Sequence, residues 1–136
     1  MITEKSGFRF IERGFEKSVL LIPGWAMDHN VFSKLDLKFN YIIPLELNVF
    51  DLSALPEKLS CLGFSLGGFL AKDLALKNPG RFEELILVGI REKYPEKDLQ
   101  SVASMLKKNQ KAFLSVFYTD CFTEMDGGWP WFKENL

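Results

Sequence analysis

Histidine, cysteine and net charge are all scarce in this chain. Among its 136 residues are one histidine, His29, and two cysteines, Cys61 and Cys121. A single histidine excludes a zinc site built on paired histidines within one chain. The two cysteines are too few for a disulfide framework and have no metal-ligand spacing. A formal net charge of −1 leaves no basic footprint for nucleic acid and no general attraction to an anionic membrane. No run approaches the roughly 18 apolar residues of a membrane span. The first residues, Met1 to Gly7, carry charges and no apolar stretch, so no secretory signal is visible and a cytoplasmic protein is expected. There is no G-x-G-x-x-G after a strand and no Walker pattern, so no nucleotide, metal or other cofactor is implied. Internal repeats, low-complexity tracts and long linkers are also missing.

What the chain has in quantity is aromatic side chains: thirteen Phe, three Trp and three Tyr. That payload implies a sizeable core, an apolar pocket, or both. The length suits one small domain.

Periodicity indicates an α/β protein with a mostly parallel sheet. Phe8–Glu12 alternates weakly and reads as a first strand at a sheet edge. Ser18–Ile22 is a short continuous apolar run closed by Pro23-Gly24, as expected of a strand buried on both faces. Asn30 can cap a short helix that begins at Val31. Tyr41–Leu47 is a third strand, and its internal Pro44 argues for an edge position, because proline cannot donate to a ladder. Leu59–Gly63 is a strand, Phe69–Lys77 a helix stopped by Asn78-Pro79-Gly80, and Leu85–Ile90 a strongly apolar strand. After Ile90 the pattern changes. Pro95 can open a helix, with Leu99, Val102, Ala103 and Leu106 on one face, and Phe113, Val116, Phe117 and Cys121 continue helical spacing. Residues 1–90 therefore read as a sheet core and 91–136 as a helical, cap-like segment with an aromatic end, Trp129, Trp131 and Phe132. Cys61 in its strand and Cys121 on its helix face both read as packing residues.

The chemistry is carried by Gly63-Phe64-Ser65-Leu66-Gly67-Gly68, a G-x-S-x-G motif between an apolar strand and a helix. A serine there sits on a strained strand-to-helix turn with its hydroxyl clear of the sheet, and the flanking glycines permit the close approach. Ser65 is the candidate nucleophile. The Leu66 N–H, at the helix N-terminus, is one candidate oxyanion donor. Trp25, in the loop that follows Ser18–Ile22, offers a second backbone N–H, while its side chain reads as packing.

LLIPGWAMDHNVF (residues 20–32) together with CLGFSLGGFLAKDLALKNPGRFEELILVGI (residues 61–90) resembles the α/β-hydrolase superfamily. Within it, the chain most resembles the small carboxylesterases that act on pimeloyl-acyl-carrier-protein methyl ester in biotin biosynthesis. That resemblance implies a serine carboxylesterase-type hydrolase and a truncated α/β-hydrolase fold, with Ser65 as nucleophile, Trp25 and Leu66 as oxyanion amides, and the helices after Ile90 as a cap over the acyl chain. Phe113 or Phe117 would line that cap, the plainer role of the aromatics being to cover the sheet and its bare edge, and the basic face of Lys107, Lys108 and Lys111 would steer an acidic acyl-carrier protein or, more simply, form a solvated helix face.

The chain departs from the family in three ways. Pro23 stands where the family commonly has histidine. Only Asn48 to Leu59 joins two strands between which the family usually fits a helix, which leaves part of one sheet face uncovered. No histidine follows Ser65, so the triad base has no counterpart. Loss of the base in a triad costs on the order of 10⁶ in turnover, while an oxyanion hole and binding alone retain about 10³–10⁴ over water. His29 is the only internal imidazole that could replace it, and Glu92, just after the apolar strand 85–90, is the acid candidate by fold analogy. The plainer roles are a capping or solvent-facing histidine and an exposed charge. A bare 85–90 edge invites pairing with a second copy or a complementing chain. Two readings stand beside each other: a serine esterase of acyl esters, and a catalytically incomplete hydrolase domain or fragment that binds a hydrophobic ligand or a partner.

Overall fold

Ser6 and Gly7 join the first two strands, and both have positive φ, 52° and 80°. That is the backbone requirement of a two-residue type I′ turn, whose twist matches that of the strands it joins. The strands are β1 (Ile2–Lys5) and β2 (Phe8–Ile11), paired antiparallel with Lys5 opposite Phe8. The computed structural model describes residues 1–48 and 50–122, and the chain divides into two units, Met1–Ile90 and Arg91–Leu136.

The first unit is built on a six-stranded sheet of order β1-β2-β4-β3-β5-β6. The remaining strands are β3 (Ser18–Ile22), β4 (Asn40–Pro44), β5 (Leu59–Phe64) and β6 (Phe82–Val88). β4, β3, β5 and β6 run parallel, and β2 joins β4 antiparallel. Two edge assignments from sequence are corrected. β2 is not an edge, because β1 lies outside it; β1 is exposed along its whole length and gives no apolar alternation to read. β4 lies inside the sheet, between β2 and β3. Pro44 is tolerated because it is the last residue of β4, and the ladder resumes beyond it through the Leu45 N–H, which donates to the Gly7 carbonyl at 2.9 Å.

Both faces of the central strands are covered. Leu20, Leu21 and Ile22 of β3 have no exposed surface. On one face Leu20, Ile22, Ile42, Leu59 and Cys61 pack with Ala71, Leu70 and Leu74 of the helix α1 (Leu66–Lys77). On the other, Val19, Leu21, Tyr41 and Ile43 pack under Phe32 and Val31 of a 3₁₀ turn, His29–Phe32. Residues 48–59 contain a single 3₁₀ turn among those described, Leu52–Ala54. Beside it a groove of about 660 Å³ runs along α1, floored by Leu47, Phe50, Leu52, Leu70 and Leu74. β6 is the far edge, bonded to β5 on one side, and its Leu85, Ile86 and Val88 are each about two-fifths exposed.

The second unit contains α2 (Glu96–Phe122), preceded by Pro95, whose carbonyl accepts from the Asp98 and Leu99 N–H groups. The helix is interrupted at Asn109, which has extended φ and ψ of −161° and 91°. The Asn109 side chain accepts from the Ala112 N–H at 3.0 Å and so caps the second stretch. Within that stretch the rings of Phe113, Phe117, Tyr118 and Phe122 form a continuous chain of aromatic contacts. Cys121 is exposed, which corrects its reading as a packing residue: it borders the face of buried Tyr118 and Phe122 without being covered by it. The aromatic end at Trp129, Trp131 and Phe132 lies outside the described residues.

Candidate active site

Ser65 joins β5 to α1 with φ 54° and ψ −120°. This is left-handed backbone that a residue with a Cβ adopts at a cost of about 1–3 kcal/mol, and it persists only where its surroundings hold it. Those surroundings are specific. The Ser65 N–H donates to the Val88 carbonyl at 2.8 Å, and the Ser65 carbonyl accepts from the Gly68 N–H at 2.9 Å. The flanking glycines are required by space. A Cβ on Gly63 would overlap the Gly67 carbonyl, and one on Gly67 would overlap the Ile22 carbonyl at the end of β3. Helix α1 therefore starts at Leu66, three residues before the apolar pattern alone indicates, because its first turn is made of glycines that let it settle onto the strand ends.

The loop after β3 is folded against this turn. A Cβ on Gly24 would stand 3.2 Å from the Ser65 Cβ and 3.4 Å from the Phe64 carbonyl oxygen. The loop then reverses: Ala26 has φ 57°, and the Met27 N–H donates to the Gly24 carbonyl at 3.2 Å. The Trp25 ring is 38% exposed, so it is at most a partial contributor to packing. The Leu66 N–H lies in the first turn of α1, where helix N–H groups have no intrahelical acceptor and carry the positive end of the helix dipole. Ser65, Leu66 and the Gly24-Trp25 loop thus meet at the carboxyl ends of β3 and β5, the edge at which open α/β sheets build their sites.

His29 is on the same loop, four residues beyond Trp25, but it is turned toward β2. Its Nε2 contacts the Arg9 guanidinium, and its Nδ1 lies 3.8 Å from Asp28 Oδ2. Arg9 also donates twice to Glu4 Oε1 on β1, at 2.8 and 2.5 Å. A nitrogen that accepts from arginine must be unprotonated, so the imidazole is neutral with its proton on Nδ1. Burial, and then the Arg9 charge, hold its pKa below the ordinary 6.5. Arg9 and Glu4 gave no signal in the sequence: they are polar positions on short strands, and the partner of Arg9 lies 20 residues away.

The other candidates belong to the second unit. Glu92 is exposed on the segment leading into α2. Phe113 and Phe117 stack with ring centroids 6.4 Å apart and are half-buried. Among the described residues no three His, Cys, Asp or Glu side chains are grouped to hold a metal ion, and no helix is long and apolar enough to cross a membrane.

No family model matches the sequence, and no curated protein matches it. Solved structures do. An esterase from Exiguobacterium antarcticum is 19% identical, with a TM-score of 0.60 over 82% of this chain and 56% of that one. A thioesterase domain from the curacin biosynthetic pathway is 16% identical, with a TM-score of 0.62 over 95% of this chain and 63% of that one. An epoxide hydrolase, CorEH, is 18% identical, with a TM-score of 0.57 over 82% of this chain and 55% of that one. The chain spans somewhat over half the length of these structures. The strand order, the serine turn and these likenesses together show that the chain has the α/β-hydrolase fold.

Proposed function

We propose that the chain carries the nucleophile half of a serine carboxylesterase-type site. Ser65 Oγ attacks an ester carbonyl, the alcohol leaves with a proton, and water releases the acid from the acyl-enzyme. The Leu66 and Trp25 N–H groups receive the oxyanion. The observation that carries this reading is the strained backbone of Ser65, held directly against the Gly24 loop. A cost of that size at a serine, enforced by three glycines in contact, is what nucleophile presentation requires and what a plain turn does not. The likenesses to an esterase and a thioesterase domain support the same class.

The finer proposal for the substrate is an acyl ester carried on an acyl-carrier protein, with the pimeloyl methyl ester of biotin biosynthesis as the first candidate. Support for it is the sequence resemblance around residues 20–32 and 61–90 and the exposed Lys107, Lys108 and Lys111, which suit an acidic carrier. Phe113 and Phe117 are proposed to meet the acyl chain.

The base has two sources in this reading. His29 could act only after releasing Arg9 from its Nε2. The alternative is an imidazole brought by a complementing chain that pairs with the β6 edge, since a second copy would bring only another His29, and Glu92 keeps its proposed role as the acid beyond that strand. We favour the second source, because the arginine contact and the lowered pKa both assign His29 to the loop.

The test is hydrolysis of p-nitrophenyl acetate, and labelling by a fluorophosphonate, with the purified chain, Ser65→Ala and His29→Ala. The reading expects Ser65 to be labelled and to hydrolyse above the Ser65→Ala level, yet far below a complete triad. Rates equal to Ser65→Ala with no labelling overturn it for this chain. Loss of activity in both variants makes His29 the base.

A further inference from the structure

Four side chains form a polar ladder that crosses from the sheet edge to the loop beside Ser65. Glu4 on β1 and Arg9 on β2 are cross-strand partners, and Glu4 Oε1 accepts twice from Arg9. The remaining guanidinium nitrogen, Nη1, meets His29 Nε2. His29 opens the 3₁₀ turn that Asp28 caps, with Asp28 Oδ1 accepting from the Asn30 N–H at 2.8 Å. Underneath lies a cavity of about 100 Å³, bordered by Arg9, Pro23, Met27, His29, Ile43 and Glu46. Pro23 is the first residue of the loop that brings Gly24 against Ser65. The inner side of this loop therefore borders a small pocket between it and the end of β4, and its far end is tied to the sheet through His29.

We propose that Arg9 is a positioning residue: through the His29 imidazole it fixes the Pro23–Asp28 loop, and hence the Trp25 amide, against Ser65. The consequence for catalysis rests on the Ser65 reading above; the mechanical coupling does not. The coupling depends on protonation. A neutral imidazole accepts from Arg9, whereas an imidazolium has no lone pair and would place a second cation against the guanidinium. The charged groups that face His29 are Arg9 and Glu4 from the hairpin, Asp28 from its own turn, and Glu46 across the cavity. The two carboxylates that act on the imidazole, Asp28 and Glu4, favour its charged form, but they do not outweigh burial and Arg9. The loop is accordingly held at neutral pH and released in acid.

Trp25 reports on its own loop. In a Trp129→Phe, Trp131→Phe background it is the single tryptophan, since the chain has three. Its emission is expected to change in one step on acidification, with a midpoint below 6.5. Arg9→Met has no tie to release, so its emission at neutral pH should already match the acid form of the parent and the step should be lost. Arg9→Lys, which keeps the charge and a donor, should recover the step. His29→Gln should abolish the step. Persistence of the step in His29→Gln, or an Arg9→Met titration that matches that of the parent, overturns the proposal. Circular dichroism at each pH confirms that the fold is intact, and failure of ester hydrolysis with a normal Trp25 titration would remove the catalytic reading alone.

Discussion

Gly24 and Ser65 touch although they lie 41 positions apart in the chain: a Cβ on Gly24 would stand 3.2 Å from the Ser65 Cβ. This contact joins the loop after β3 to the turn after β5. It is the reason that a backbone N–H from one can face the same point as a hydroxyl from the other. Adjacent parallel strands make it inevitable once their registers align, and Ile22 of β3 does pair with Gly63 of β5.

The strain at Ser65 has a measurable counterpart. Ser65→Gly removes the nucleophile and also the Cβ that makes positive φ costly. We expect it to stabilise the protein by about 1 kcal/mol, with a matching rise in Tm, while any ester hydrolysis is lost. A fall in Tm would show that the serine side chain contributes more to the turn than its backbone costs.

The glycines around it differ in what a methyl group would meet. Gly67→Ala drives a Cβ into the Ile22 carbonyl, which is backbone of a central strand and cannot move aside. Gly68→Ala meets the Ile90 Cγ2, a branch methyl that moves only by a change of χ1, and comes within 3.3 Å of the Gly63 carbonyl oxygen. Denaturant unfolding should show Gly67→Ala costing about 3 kcal/mol or more, and Gly68→Ala distinctly less.

The His29 ladder predicts the sign of a pH effect on stability. Its folded pKa lies below 6.5, so the folded state favours the neutral imidazole more than the unfolded chain does. The resulting stabilisation is present above pH 6.5 and is lost as pH falls through the folded value. Thermal melts of the wild-type chain and His29→Gln should therefore converge on acidification, with the wild type losing more. Parallel curves would exclude a titrating imidazole at this position.

The two thiols should separate cleanly. Burial pushes the Cys61 thiol up to about 12, whereas Cys121 is exposed, with its pKa raised by partial burial and by Asp120. Iodoacetamide at pH 9 should label Cys121 in the folded protein and reach Cys61 only after denaturation. Mass spectrometry that finds native Cys61 modified would show that the centre of β5 opens readily.

The β6 edge predicts association. Leu85, Ile86 and Val88 leave apolar surface beside an open strand edge, and the described residues pair that strand on one side only. Ile86→Lys should lower concentration-dependent mass in light scattering without lowering Tm by more than about 1 kcal/mol equivalent. A monomeric mass at all concentrations in the wild type would remove the second copy as the occupant of this edge.

Local chemistry determined much of this protein directly from its sequence. The apolar run Ser18–Ile22 could only be a strand covered on both faces, and Gly63-Phe64-Ser65-Leu66-Gly67 could only be useful as a tight strand-to-helix turn, because both signals are carried by neighbouring residues. β1 escaped detection because an exposed four-residue edge strand has no burial pattern, and it exists because the Ser6-Gly7 turn returns it to β2. The place of β4 was likewise a tertiary matter: Pro44 is excluded from the middle of a ladder, yet a strand order that puts it at the last rung costs nothing. The fate of His29 was decided the same way. No local rule distinguishes an imidazole that takes a proton from one that accepts an arginine, since the difference lies in Arg9, brought from another strand by the pairing of the sheet.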